Sequence, residues 1–119
     1  MRIISGVLKG RSIKFLRNSN TRPLKDNVKE NVFNILNHSR NIKVKVKNSN
    51  VLDLYSGIGS FGIECISRDA KKVTFIEKDL HASNLLKDNL KKLSIINNAI
   101  IYNSKIENVI IDLKKESYH

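Results

Sequence analysis

Two carboxylates and three glycines hold the chemistry in this chain. Asp53 lies near the end of a short apolar run, Val51-Leu52-Asp53-Leu54, which leads into Tyr55-Ser56-Gly57-Ile58-Gly59-Ser60-Phe61-Gly62. Glu77 closes a second apolar run, Val73-Thr74-Phe75-Ile76. Glycine lets a backbone turn sharply and approach a ligand, because no Cβ stands in the way. The start of the helix that follows offers N–H groups with no intrahelical partner. Strand, glycine loop and helix in that order form the usual layout of a small-molecule site on an α/β sheet.

The identity of the ligand turns on the acid. Gly57, Gly59 and Gly62 satisfy G-x-G-x-x-G, and Glu77 follows about 20 residues on, a spacing that also fits a dinucleotide fingerprint. A pyrophosphate on that helix N-terminus would face Asp53. Two like charges at ~4 Å in an effective dielectric of ~20 repel by about 4 kcal/mol. The same carboxylate suits a ligand that carries a cationic amine. S-adenosylmethionine has such an amine, and its ribose diol would give Glu77 a partner. The alternatives are a dinucleotide or an ordinary strand-to-helix turn.

These groups need elements to position them. The run ending near Asp53 is read as the first strand and Ser60 to about Asp69 as the helix after it. Lys72 to Ile76 is read as the second strand. Leu80 to Leu93 is an amphipathic helix, with Leu85, Leu86, Leu90 and Leu93 at helical spacing. Ala99 to Tyr102 forms a third strand, and a further helix starts at Ile106. Upstream, Met1 to Leu16 reads as a hairpin around Gly6 and Gly10, with Ile3, Ile4, Val7, Ile13, Phe15 and Leu16 as its apolar residues. Asp26 to Asn37 or His38 reads as a helix whose stripe is Val28, Val32, Ile35 and Leu36, widened by Phe33. Ile42 to Lys47 alternates and is expected to be a short strand or extended linker, followed by a turn at Asn48-Ser49-Asn50.

Composition bounds the rest. The 119 residues are enough for one domain, and 40% are hydrophobic. The net charge of +11 is uneven: residues 1–49 hold 12 Lys/Arg against 2 acids, while residues 50–119 hold 10 against 9. A basic front half implies a polyanionic partner, and phosphates reward clustered Lys and Arg. Arg2, Lys9, Arg11, Lys14 and Arg22 are the candidate RNA contacts. This divides the chain into a basic extension, 1–49, and a cofactor-binding half, 50–119. Cys65 is the single cysteine, so no intrachain disulfide forms, and it reads as a small core residue. A reducing compartment fits, cytoplasmic or organellar. No apolar run would span a membrane. Three scattered histidines and one cysteine lack metal-ligand spacing.

Three separated blocks carry a family resemblance. They are Met1-Arg2-Ile3-Ile4-Ser5-Gly6 with Lys9-Gly10-Arg11, then Thr21-Arg22-Pro23 with Glu30 and Phe33-Asn34-Ile35-Leu36, then Leu52 to Glu64 with Ser67-Arg68 and Ala70. With these the chain resembles the bacterial 16S ribosomal RNA guanine-N2 methyltransferases (the RsmD family). The resemblance implies a Rossmann-like S-adenosylmethionine-dependent methyltransferase fold, here its first three strands, with an N-terminal β-hairpin and helix that help hold 16S ribosomal RNA or a small-subunit assembly intermediate. By position, Asp53, Ser56, Gly57 and Gly59 would line the methionine and ribose side and Glu77 the ribose hydroxyls, with Asn103, Ser104 and Lys105 bordering the adenine. Lys105 stands where the family has an acid or amide, and Leu24-Lys25 replace Thr-rich residues.

The family's catalytic Asp-Pro-Pro-Tyr/Phe segment is not found in these residues, whose one proline is Pro23. No catalytic residue is therefore assigned. The chain reads as a truncated product, a fragment, or one part of a protein whose C-terminal half acts in trans. Without a fourth strand, the strand bearing Asp53 is expected at a sheet edge, with Val51, Leu52 and Leu54 thinly covered. A non-catalytic RNA- or cofactor-binding remnant is the main competing reading, and a dinucleotide-binding oxidoreductase domain is the weaker one.

Overall fold

A computed structural model describes residues 2–14, 26–38, 45–54 and 56–113. The helix α1 spans Asp26–His38, the strand β1 Asn50–Leu54 and the helix α2 Ser60–Ser67. The strand β2 (Lys72–Ile76), helix α3 (Leu80–Lys92), strand β3 (Ala99–Tyr102) and helix α4 (Ile106–Leu113) follow. A single 3-10 turn, Ile96–Asn98, precedes β3.

The three strands form one parallel sheet in the order β1-β2-β3. Asp53 is level with Phe75 and Leu54 with Ile76, and Ile76 is in turn level with Tyr102. The register brings the loops that follow β1 and β2 to the same end of the sheet. Val73, Thr74, Phe75 and Ile76 of the central strand are all buried. That burial explains an apolar run with little alternation, as expected of a parallel strand covered on both faces. Among the described residues β1 is an edge strand, with Val51 and Leu52 half-buried and Leu54 42% exposed.

The α2 helix is buried almost all round. Ile63, Cys65 and Ile66 enter the core, and Glu64 and Ser67 are buried too. Its polar residues face the chain's N-terminal segment and α1. Glu64 Oε1 accepts from the Ile4 amide at 2.9 Å and pairs with Lys29 Nζ of α1 at 3.3 Å. Its Oε2 accepts from the Ser5 amide at 3.0 Å and from Arg68 Nε at 3.1 Å. The Arg68 guanidinium lies 4.2 Å over the Phe33 ring, and Phe33 stacks on Phe61 with centroids 5.0 Å apart. Ser67 continues the seam: its hydroxyl accepts from the Leu8 amide and donates to the Ser5 carbonyl, while its own carbonyl accepts from the Val7 amide.

The α3 helix fastens the other end of that segment. Asn89 Oδ1 accepts from the Lys14 amide and Nδ2 donates to the Lys14 carbonyl, both at 3.0 Å. A side-chain amide here takes the place of a neighbouring strand's peptide group. Leu86, Leu90 and Leu93 of α3 are buried around it.

Several expectations are refined. The N-terminal hairpin is an antiparallel closure through one bridge, Arg2↔Ser12, with the Ile3 amide donating to the Arg11 carbonyl. Its partners are α2 and α3 side chains, so long ladders are not needed. Ile3 and Ile13 are core, but Val7 is 74% exposed because it lies in the turn. In α1 the anchor is Phe33, fully buried, whereas Ile35 is 56% exposed. The side chain of Val28 lies outside the described residues, as do residues 15–25, 39–44 and Tyr55. Residues 45–49 contain a turn and no strand, with Val46 buried.

Removing one partner from a buried ion pair strands the other. Glu64→Ala is expected to lower unfolding stability by roughly 3–5 kcal/mol, read as a fall in the urea midpoint. An unchanged midpoint would show that the carboxylate does not tie these elements together.

Candidate functional site

The loop between β1 and α2 is shaped by backbone geometry and by two carboxylates. Gly57 and Gly59 have φ of 57° and 90°, in the left-handed region that glycine tolerates best. A Cβ on Gly62 would overlap the Phe75 ring and come within 3.0 Å of Asp53 Oδ2. The first turn of α2 can lie this close to β1 and β2 only with glycine there.

Asp53 Oδ2 accepts a hydrogen bond from the Gly62 amide in that first turn at 3.2 Å. The carboxyl is nonetheless pushed up to about 6, first by burial and then by the nearby charge of Glu77, with the Gly62 bond opposing. Ser56 braces the base of the loop. Its hydroxyl is shared between the carbonyls of Asp53 at 2.7 Å and Ile76 at 3.2 Å, and its amide donates to Ile76 O.

Glu77 spans two loops. Its Oε1 accepts from the Gly57 amide and its Oε2 from the Asp79 amide, both at 2.8 Å. A carboxylate has about four acceptor positions, so two remain for a ligand's hydroxyls. Asp79 then caps α3 by accepting from the Ala82 amide at 3.0 Å. Asn103 Nδ2 donates to the carbonyls of Glu77 at 3.0 Å and Lys78 at 3.3 Å. A cavity of about 330 Å³ lies beside this bridge, lined by Ile76, Lys78, Ser104, Lys105, Ile106 and Glu107.

The structure thus brings Asp53, Ser56, Gly57, Gly59, Glu77 and Asn103 into one hydrogen-bonded neighbourhood, with Ser104 beside it. The donor set suits a ligand with a cationic amine and a diol: two acids, no cation among the groups bonded in the loop, and glycines that leave room. Arg2, Lys9, Arg11 and Lys14 are exposed on the N-terminal segment. Arg22 lies outside the described residues. Cys65 is buried, and burial with the nearby charges of Asp53 and Glu64 pushes its thiol up to about 12, so it stays protonated and unreactive. His81 is exposed.

Sequence reading missed the roles of Asp79 and Asn89. Asp79 directly before a helical pattern is a capping signal. Asn89, set among Leu86, Leu90 and Leu93, is a polar residue on an apolar face that needs a partner.

A parallel β-α-β-α-β sheet with an acidic glycine loop is part of a Rossmann-like α/β fold, of the kind that methyltransferases share. It superposes on the solved structure of the yhhF protein of Escherichia coli, provisionally described as a methyltransferase, with a TM-score of 0.78 and 31% identity over 92% of this chain and 55% of that one. Residues 1–118 match the family model described as conserved hypothetical protein 95, and the chain belongs to that family. The ribosomal RNA small subunit methyltransferase D of Haemophilus influenzae is 43% identical over 93 residues, 78% of this chain and 45% of that protein. The protein of the same name from Buchnera aphidicola is 41% identical over 99 residues, 83% of this chain and 49% of that protein. The chain spans about half the length of the curated relatives it matches. No helix among the described residues is long and apolar enough to cross a membrane.

The raised Asp53 carboxyl makes a signed prediction. The folded state holds this proton more tightly than the unfolded state, so ionising Asp53 costs stability as pH rises from about 4 to about 6. Asp53→Asn is expected to melt at a higher temperature than the parent at pH 8, with the gain shrinking toward pH 4. A gain of equal size at both pH values would remove Asp53's ionisation as its cause.

Proposed function

We propose that this chain binds S-adenosylmethionine and belongs to the machinery that methylates guanine N2 in 16S ribosomal RNA. The observation carrying this reading is the pair of carboxylates, Asp53 and Glu77, on either side of the Gly57–Gly59 turn. Asp53 would receive the ligand's amine. Glu77 would receive the ribose hydroxyls through its two remaining acceptor positions. Gly57 and Gly59 leave space for the methionine arm, Ser56 holds the loop, and Asn103 and Ser104 border the adenine. When bound, the cofactor supplies a methyl group on a sulfonium, open to in-line attack by the guanine amine. The chain's own contribution is to hold one reactant in place, and positioning of that kind is a large part of rate acceleration between two held reactants.

Residues 1–49 serve in this reading as the RNA-contacting extension, through Arg2, Lys9, Arg11, Lys14 and Arg22. Residues 50–119 form the cofactor-binding half. The names of the relatives support ribosomal RNA as the substrate, and their greater length supports a C-terminal half that completes the site. The setting is cytoplasmic or organellar, where small subunits are assembled. A second reading is a non-catalytic RNA- or cofactor-binding module, in which these residues hold their ligands and none is assigned a catalytic role.

Calorimetry with S-adenosylhomocysteine tests the cofactor. Binding is expected for the parent and lost in Asp53→Ala, with NAD giving no heat. Unchanged affinity in the variant would remove Asp53 from the site. Because an amine is held by the ionised acid, affinity should weaken as pH falls below about 6 and stay level above about 7. Methyl transfer from radiolabelled cofactor to 16S ribosomal RNA is expected to be negligible with this chain alone, and robust turnover would overturn the binding-only role.

A further inference from the structure

The basic N-terminal segment does not stand apart from the rest of the chain. It runs along the C-terminal half of α3 and joins its cations to those of the helix. Arg11 Nη2 donates to the Lys92 carbonyl at 3.4 Å, and Lys92 Nζ donates to Ser12 Oγ at 3.0 Å. Ser12 is bridged to Arg2, and residues directly opposite in an antiparallel pair project on the same face. Lys14, two residues beyond Ser12 and alternating with buried Ile13, shares that face and is held to α3 by Asn89. Arg2, Arg11, Lys14, Lys91 and Lys92 are all exposed. Among the described residues none of these five pairs with a carboxylate. Asp88 is the single acid in this half of α3.

Compensation of the helix dipole accounts for cations in the last turn of α3. It does not account for Arg2 and Lys14, which belong to another segment and yet share the face. Several like charges gathered on a fixed scaffold repel one another, with Asp88, one turn before Lys92, offsetting only part of the excess, and a string of phosphates relieves that repulsion by releasing its own counterions.

We propose that the seam between residues 11–14 and the C-terminal half of α3 is a docking face for the phosphate backbone of RNA, with Lys92 of α3 binding alongside Arg2, Arg11 and Lys14. This rests on the RNA reading given above and extends it to a helix of the cofactor-binding half. The contact is to phosphates, so it orients the RNA without reading its bases.

The test is binding of the whole chain to a 16S ribosomal RNA transcript, by fluorescence anisotropy across a salt series. Lys92→Gln is compared with the parent and with Lys92→Arg. One lost phosphate contact should weaken binding roughly threefold and flatten the slope of log affinity against log salt by about 0.7 to 0.9. The Arg variant should retain both, and S-adenosylhomocysteine affinity should be the same in all three. If the parent binds RNA and the Gln variant matches its affinity and slope, the α3 face is wrong while the RNA reading stands. Loss of binding in the Arg variant as well would also overturn the face, because charge would not be the agent. If the parent binds no RNA, the RNA reading fails, and this face fails with it.

Discussion

A single carboxylate with no exposure to water organises the packing. Glu64 faces two cations and two peptide N–H groups, supplied by the N-terminal segment, by α1 and by the residue just past α2. A charge so buried is tolerable only when each of these partners is in place. Lys29 is also within 3.3 Å of Ser60 Oγ, at the first residue of α2 immediately after the glycine loop. The arrangement therefore links the N-terminal segment to the glycine loop by two short steps. Arg68 serves twice, as an ion partner and as a lid on the Phe33 ring, which brings α1 into the same unit.

The molecule separates its two signs of charge by function. Acids gather at the C-terminal ends of β1 and β2, where Asp53 and Glu77 are held by backbone amides. Cations with no carboxylate partner among the described residues gather on the N-terminal segment and on α3. The shared element is α3, whose first turn begins beside Glu77 through the Asp79 cap and whose last turn carries Lys91 and Lys92. One helix thus runs from the carboxylates at the sheet's end to the exposed cations beside the N-terminal segment.

The sheet and its helices were largely legible in the sequence. Period and turn chemistry place β2 and β3 where the structure has them, and α1, α2 and α3 to within a residue or two. The glycine loop was legible because Gly57 and Gly59 answer to local backbone demands, whereas Gly62 answers to the Phe75 ring and Asp53 packed against it. What the sequence did not show was mostly long-range. Asn89 bonds to Lys14 across 75 positions and Glu64 to Ile4 across 60, and nothing in local periodicity marks such partners. Ile35 follows the helical stripe of α1 and still faces outward, because Phe33 takes the buried position. The hairpin was overextended for a related reason: its amides find side chains of α2 and α3 in place of a second strand. The hydroxyl of Ser56 spans two carbonyls of the loop base, a bracing role that its sequence position did not announce.

The long reach of those bonds has a consequence for synthesis on the ribosome. Ile3 and Ile13 emerge first, yet Glu64, Ser67 and Asn89, which receive their neighbours' amides, are made far later. Translation at roughly 5–20 residues per second separates Lys14 from Lys92 by roughly 4–16 s. For that interval the nascent leader has neither its core nor its hydrogen-bond partners. The residues around Glu64 and those that start the chain can therefore complete their packing only together, once both have been made.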